Sequence, residues 1–321
     1  AILALANTGD IRSEDRYLLL LPMFHVGALT PVIGAVYRGN SVVVQRDFDP
    51  QRVWQLFESE RINTSLGVPA MLNFMLQVPE FEKYDFSTVR NIVCGAAPVP
   101  VSTIQEFIKL GVEIHQVYGL TEPCGPGCLI TGQDSVERVG SAGRSFFHSE
   151  SKIVDGAGNE VPRGEPGEVL IRGPHVMKEY WNRPDATAET LADGWLHTGD
   201  VATMDEEGFV TICDRKKDMI ISGGENVYPA EVENVLMQHD GIADVAVIGQ
   251  PSEKWGESPL AIVVRADESV DEASVLGFCN GKLARYKQPT QVKFADGIPR
   301  NPSGKILKRI LRDTHAGQAP A

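Results

Sequence analysis

No apolar stretch in this chain reaches the ~18 residues that a membrane-spanning helix needs, and no secretory-leader pattern stands at its start. Cysteine is scarce, with five residues at 94, 124, 128, 213 and 279. The count is odd, and no pair stands at metal-ligand spacing beside a histidine cluster, which argues against a disulfide framework or a zinc site. The thiols read as reduced, cytoplasmic and mostly buried, with Cys124 and Cys128 packed in the core or a wall rather than holding a metal. Positive charge is in deficit. Lys and Arg number 30 against 43 Asp and Glu, a net charge of −13, which argues against nucleic acid as the main partner. A Gly-x-Ser-x-Gly elbow is missing, so a serine hydrolase finds no support. Internal repeats and low-complexity segments are also absent.

What is present describes an ordinary globular protein. A length of 321 residues predicts two domains, and 42% hydrophobic with 23% charged residues is average. The first part alternates strands and helices. Tyr17–Pro22, Ser41–Val44, Asn91–Cys94 and 112–117 read as buried strands. Asp49-Pro50 and Val68-Pro69 open helices, and another runs from about Ser102 to Leu110. This order predicts a largely parallel α/β sheet up to about residue 138. From 139 to 214 short strands between Gly, Asp and Pro turns predict a small antiparallel barrel-like sheet. After a linker at 215–217, residues 218–321 predict a small α+β domain. It has strands at 218–222, 245–249 and 260–264, helices at 230–238 and about 271–284, and a frayed end from Ala316.

Four short segments carry polar chemistry. Tyr118-Gly119-Leu120-Thr121-Glu122 follows a strand, and ligands collect beyond the carboxyl ends of strands in α/β sheets. Tyr118 can stack on a purine, Thr121 can donate to a phosphate oxygen, and Glu122 is a hard oxygen ligand suited to Mg²⁺. Asp200, in Thr198-Gly199-Asp200, is a carboxylate on a tight turn that can accept both hydroxyls of a ribose. Gly223-Gly224 lets backbone approach a ligand closely. Lys305, between Pro302-Ser303-Gly304 and a basic helix, presents a compact charge on a flexible stem. Each of these, alone, is equally an ordinary turn or surface loop.

Together and in this order, these segments resemble the adenylate-forming superfamily, and within it the acyl-CoA synthetases. Asp218–Pro229 and Leu283–Lys287 are most similar to the branch acting on medium- to very-long-chain fatty acids. The resemblance implies a large AMP-binding domain followed by a small mobile one, and ATP, Mg²⁺ and CoA as reactants. It places Tyr118 and Gly119 against adenine, Gly95, Ala96 and Ala97 of Gly95-Ala96-Ala97-Pro98 along the adenine and acyl pocket, and Asp200 with Arg215 against the ribose. Thr121 contacts the α-phosphate, Glu122 holds the metal, and His25 walls the carboxylate pocket. Lys217 is the hinge, Gly223 and Gly224 border the CoA tunnel, and Lys305 bridges the acid and the α-phosphate during adenylation.

The family's Ser/Thr/Gly-rich phosphate loop is not found upstream of His25. The segment Ala1–Ala6 is helix-like, begins without Met and has no N-cap signal. Residues 1–321 therefore read as the carboxyl-terminal portion of a longer protein, weakly active or inactive by themselves. Two other readings stay open: an adenylating enzyme with a carrier-protein or other non-CoA acceptor, and a non-catalytic fragment that binds a nucleotide or CoA. The acid is a small-molecule carboxylic acid, fatty or aryl, and long chains would bring peripheral contact with membranes.

Overall fold

The structure is a computed structural model that describes residues 1–97, 99–302 and 304–316. Pro98, Ser303 and the tail at 317–321 lie outside the described residues. The chain divides into two compact units, Ala1–Ile212 and Cys213–Ala321. Among the described residues no helix is long and apolar enough to cross a membrane.

The first unit is built on a seven-stranded sheet. Five of its strands run parallel, in the spatial order Ser41–Val44, Arg16–Leu19, Thr64–Gly67, Asn91–Cys94 and Glu113–Tyr118. Two short antiparallel strands, Cys128–Leu129 and Arg144–Ser145, extend the edge beyond Tyr118. The helix Pro50–Ser59 starts where expected: Asp49 accepts a bond from the Arg52 amide at 3.0 Å, and Pro50 occupies the first turn. Its Trp54 is fully buried, stacks on Phe81 with centroids 4.7 Å apart, and donates its indole N–H to the Met75 carbonyl. That donor bond lets the largest side chain of the core be buried without an orphaned polar atom.

A second sheet in this unit holds five strands, including Glu150–Val154, Gly167–Arg172 and the long Trp195–Met204. These three are joined antiparallel in the order 195–204, 167–172, 150–154. The strand Val210–Arg215 pairs with Trp195–Met204.

The second unit is organised by one long antiparallel pair, Ile242–Ser252 with Gly256–Arg265. Side chains alternate across it. Val245, Val247, Ala261 and Val263 enter a core with Val232 and Leu236 of the helix Pro229–Leu236. Ala246, Ile248, Leu260 and Ile262 enter a second core with Leu311 of the helix Lys308–His315. Both faces are apolar because both are covered, so these strands read as unbroken hydrophobic runs. The helix expected at 271–284 is shorter, Glu272–Phe278. The chain turns after it and passes through Gly281, whose φ of +75° no helix accommodates. The basic helix after Lys305 begins only at Lys308, because Ile306 first forms a β-bridge with Arg300.

Candidate active site

Three sequence-predicted segments leave the carboxyl ends of parallel strands in the same sheet. His25 follows Arg16–Leu19, Gly95–Ala97 follows Asn91–Cys94, and Gly119–Glu122 follows Glu113–Tyr118. The last two strands are neighbours, with Cys94 opposite Gln116. Gly95 sits against the next strand so closely that a Cβ there would lie 2.7 Å from the Val117 carbonyl oxygen. Ala96 follows with a φ of +71°, a left-handed conformation that non-glycine residues adopt at a cost of ~1–2 kcal/mol. Gly119 is tighter still: a Cβ would fall 1.6 Å from the Gly125 carbonyl oxygen, because the loop 119–127 folds back on itself. Two backbone bonds close that loop, from Gly125 N–H to Leu120 O and from Gly127 N–H to Tyr118 O.

Tyr118 is nearly buried, and its phenol donates to Asp200 Oδ2 at 2.8 Å. Burial first, and the Asp200 charge second, push the phenol pKa well above its ordinary value, so the proton stays on Tyr118. Asp200 is not on a simple turn, as its Thr-Gly-Asp context suggests. It lies inside the strand Trp195–Met204, where pairing with Gly167–Arg172 slips between His197 and Val201. Gly199 takes φ +69° at this bulge and its amide donates to Glu168 Oε1. The bulge re-aims the carboxylate, a common role for such irregularities beside sites.

Thr121 is exposed and Glu122 is half-buried. The Tyr180 phenol donates to Glu122 Oε1 at 2.8 Å, and the Met177 amide donates to the Glu122 carbonyl at 2.7 Å. Burial, with Glu122 adding to it, raises the Tyr180 pKa. Among the described residues no group of three or more His, Cys, Asp and Glu could hold a metal by itself. Glu122 is a hard oxygen donor, of the type that takes Mg²⁺ together with substrate phosphates and water.

His25 caps the helix Val26–Arg38, its Nδ1 accepting from the Gly27 amide at 3.0 Å. Its other ring nitrogen therefore carries the proton if the ring is neutral. Of the cysteines, Cys94, Cys128 and Cys279 are buried, but Cys124 is exposed and not packed in a core or wall as expected: it sits with φ +54° on the loop 119–127 that projects beyond the sheet. Burial pushes the Cys128 thiol up to about 12, so it is a protonated core residue rather than a nucleophile.

The remaining sequence-predicted residues belong to the chain from Cys213 onward. Arg215 ends the strand Val210–Arg215, and its carbonyl accepts the amides of Asp218 and Met219, closing a turn that exposes Lys217. Gly223 and Gly224 form the two-residue loop of a hairpin, Ile220–Ser222 with Glu225–Val227, and have φ of +63° and +87°. Left-handed backbone at both positions is what a tight hairpin with the strands' natural twist demands. The Gly223 amide donates to the Trp255 carbonyl.

Lys305 closes a small loop. Its amide donates to Asn301 Oδ1, and the Asn301 amide donates back to the Lys305 carbonyl, both at 2.9 Å. Arg300 braces the loop: one guanidinium nitrogen donates to the Gly304 carbonyl and the other to both Asp244 oxygens at 2.9 Å. Next to it, Lys308 lies 3.0 Å from Glu233 and 3.9 Å from Asp214. Burial opposes the charge of Lys308, but the two carboxylates outweigh it and its pKa is raised. Tyr180, Arg300, Asp244 and Lys308 carry no local pattern that marks them. Their partners lie far away in sequence, 58 positions for Tyr180 and Glu122 and 56 for Arg300 and Asp244.

The AMP-binding enzyme family model matches residues 1–181, and the AMP-binding enzyme C-terminal domain model matches 231–305. The chain is 47% identical to the long-chain-fatty-acid–CoA ligase FadD13 of Mycobacterium tuberculosis, over 98% of this chain and 62% of that protein. It is 44% identical to a feruloyl-CoA synthase of Amycolatopsis, over 94% of this chain and 62% of the relative. The o-succinylbenzoate CoA synthetase of Bacillus subtilis, solved with its acyl-adenylate intermediate, superposes with a TM-score of 0.88 at 35% identity, over 99% of this chain and 64% of that one. The chain thus spans somewhat under two thirds of the length of the relatives it matches. With two family models, these identities and a mixed α/β fold in common, the chain belongs to the AMP-binding, adenylate-forming enzyme family.

Proposed function

We propose that the protein containing this chain is an AMP-forming acyl-CoA synthetase that activates a carboxylic acid, a fatty acid, in the cytoplasm. The observation that carries the reading is the Tyr118–Asp200 bond. It ties the end of the last parallel strand, Glu113–Tyr118, to the bulged strand of the second sheet, so that a base face and two ribose hydroxyls would find partners a short distance apart. The relatives named as fatty-acid, feruloyl and indoleacetate CoA ligases support the acid–thiol chemistry.

Residues 1–214, with Arg215 of the linker, would bind the nucleotide. Tyr118, Gly119 and Gly95–Ala97 would border adenine, with Asp200 and Arg215 at the ribose. His25 would wall the acid pocket. Thr121 would donate to the α-phosphate, and Glu122 would hold Mg²⁺, which when bound offsets charge on the phosphates. In the first half-reaction a carboxylate oxygen attacks the α-phosphorus of ATP, forming acyl-AMP and releasing pyrophosphate. Positioning and charge stabilisation dominate such transfers. Lys305 would bridge the acid and the α-phosphate. Rotation of residues 218–321 about a hinge at 215–217 would then withdraw Lys305 and bring Gly223 and Gly224 to the CoA tunnel. The CoA sulfur attacks the acyl carbonyl and AMP leaves. With long-chain acids the protein would touch a membrane peripherally.

The test uses the whole protein in which this chain occurs, with ATP, Mg²⁺, CoA and a panel of short to very long fatty acids and aryl acids. Mass spectrometry reads acyl-CoA and AMP together. Acyl-CoA from particular acids is the expected result. Acyl-AMP without thioester would point to another acceptor, and no product would leave only a nucleotide-binding role.

A further inference from the structure

The strand Gly167–Arg172 is followed by a segment that wraps onto the Glu122 loop. His175, buried, has its Nε2 3.2 Å from the Pro126 carbonyl, and the Met177 amide donates to the Glu122 carbonyl. Tyr180 ends the wrap. Its amide donates to Thr187 Oγ1 at 3.0 Å, and the same hydroxyl donates to the Arg183 carbonyl, fixing Tyr180 on the first turn of the helix Pro184–Thr190. The phenol reaches Glu122 Oε1 at 2.8 Å. No described residue donates to the other oxygen, Oε2.

We propose that Tyr180 is a positioning residue for Glu122: its phenol fixes one carboxylate oxygen so that the other is presented to the divalent cation accompanying the phosphates. The inference rests on the reading of Glu122 as that cation's protein ligand. A single carboxylate that shares a cation with phosphates and water has few partners of its own. Its rotamer is therefore set by what hydrogen-bonds its second oxygen, and outer partners of this kind typically contribute 10–100-fold to metal affinity. The geometry suits the task. A phenol held by its own backbone amide and by a short helix donates one proton and does not compete for the cation.

The test is Mn²⁺ binding to the whole protein in the presence of a non-hydrolysable ATP analogue, read by electron paramagnetic resonance of free Mn²⁺. Tyr180→Phe is expected to weaken Mn²⁺ binding by about tenfold, and to raise by a similar factor the Mg²⁺ concentration that half-saturates ATP–pyrophosphate exchange. Tyr180→His, which restores a ring donor, is expected to recover part of the affinity. Glu122→Gln separates the two layers of the argument. If it binds Mn²⁺ as well as the unaltered protein, the assignment of Glu122 fails. If it loses Mn²⁺ while Tyr180→Phe does not, the role of Tyr180 alone is overturned.

Discussion

Tyr118 donates its phenolic proton to Asp200 Oδ2 across 82 positions of sequence, joining two sheets through one buried bond. Hydrogen bonds to charged acceptors contribute about 1.5–3 kcal/mol when one partner is removed. Tyr118→Phe is therefore expected to lower the urea midpoint and to raise KM for ATP, since Asp200 loses the contact that orients it. An unchanged midpoint together with an unchanged KM would show that the bond orients nothing.

Gly119 should tolerate no side chain. A Cβ 1.6 Å from the Gly125 carbonyl oxygen meets backbone, not a side chain that can swing away. Gly119→Ala is expected to cost more than about 2 kcal/mol. Gly111→Ala is the comparison: its φ is also positive, at +79°, but nothing lies within 4 Å of an added Cβ. It should cost about 1 kcal/mol from backbone strain alone. Denaturant unfolding of the two variants reads the difference, and equal losses would mean that the loop 119–127 yields.

These two positions mark how far the sequence was legible. Asp49-Pro50 and Val68-Pro69 open helices where local chemistry says, and the parallel strands follow from short apolar runs between turns. Local signals fail where a distant partner decides. The strand through Thr198-Gly199-Asp200 looks like a turn because its bulge needs Gly199, and only pairing with Gly167–Arg172 reveals a ladder on either side. The helix after Asp271 stops at Phe278 although Leu283 and Ala284 suit a helix; Leu283 is instead drawn into the core around Val275 and Val292. Tyr118, Glu122 and Lys305 could be singled out from motifs. Tyr180, Asp244 and Arg300 could not, because a hydrogen bond between separate elements leaves no spacing to read.

His115 gives the first unit a pH dependence. It is buried on the strand Glu113–Tyr118, its Nε2 2.7 Å from Glu113, and its Nδ1 has no hydrogen-bond partner. Burial lowers its pKa below 6.5, against the opposing pull of Glu113. The unfolded chain then binds a proton at this position at a higher pH than the native chain does. The contribution to stability is complete above pH ~6.5 and is lost as pH falls through the native pKa. The midpoint of thermal unfolding should decline between pH 7 and 5, and more shallowly in His115→Asn. His175, also lowered by burial, adds to the decline in both proteins. Parallel curves would assign the decline to other groups.

The proposed division of labour between half-reactions is tested by two variants of the whole protein. Lys305→Ala should slow adenylation by about 10²–10³-fold, the usual effect of removing one preorganised donor, while thioester formation from supplied acyl-AMP continues. Lys217→Pro should do the reverse, because proline removes the φ freedom that a pivot uses. Equal loss of both steps in Lys305→Ala, or intact thioester formation in Lys217→Pro, would sink the scheme.

The alternating strand pair Ile242–Ser252 and Gly256–Arg265 has a kinematic consequence. The hairpin bearing Gly223 and Gly224 is attached at Ser222 opposite Gly256, and the Lys305 loop is clamped through Arg300 to Asp244. Two implements are thus mounted on one handle, and the handle is stiffened by a separate core on each side. Their mutual spacing is set by the framework they share. Under the proposed scheme, withdrawing one and advancing the other would be a single displacement of a rigid lever, with no local rearrangement to time.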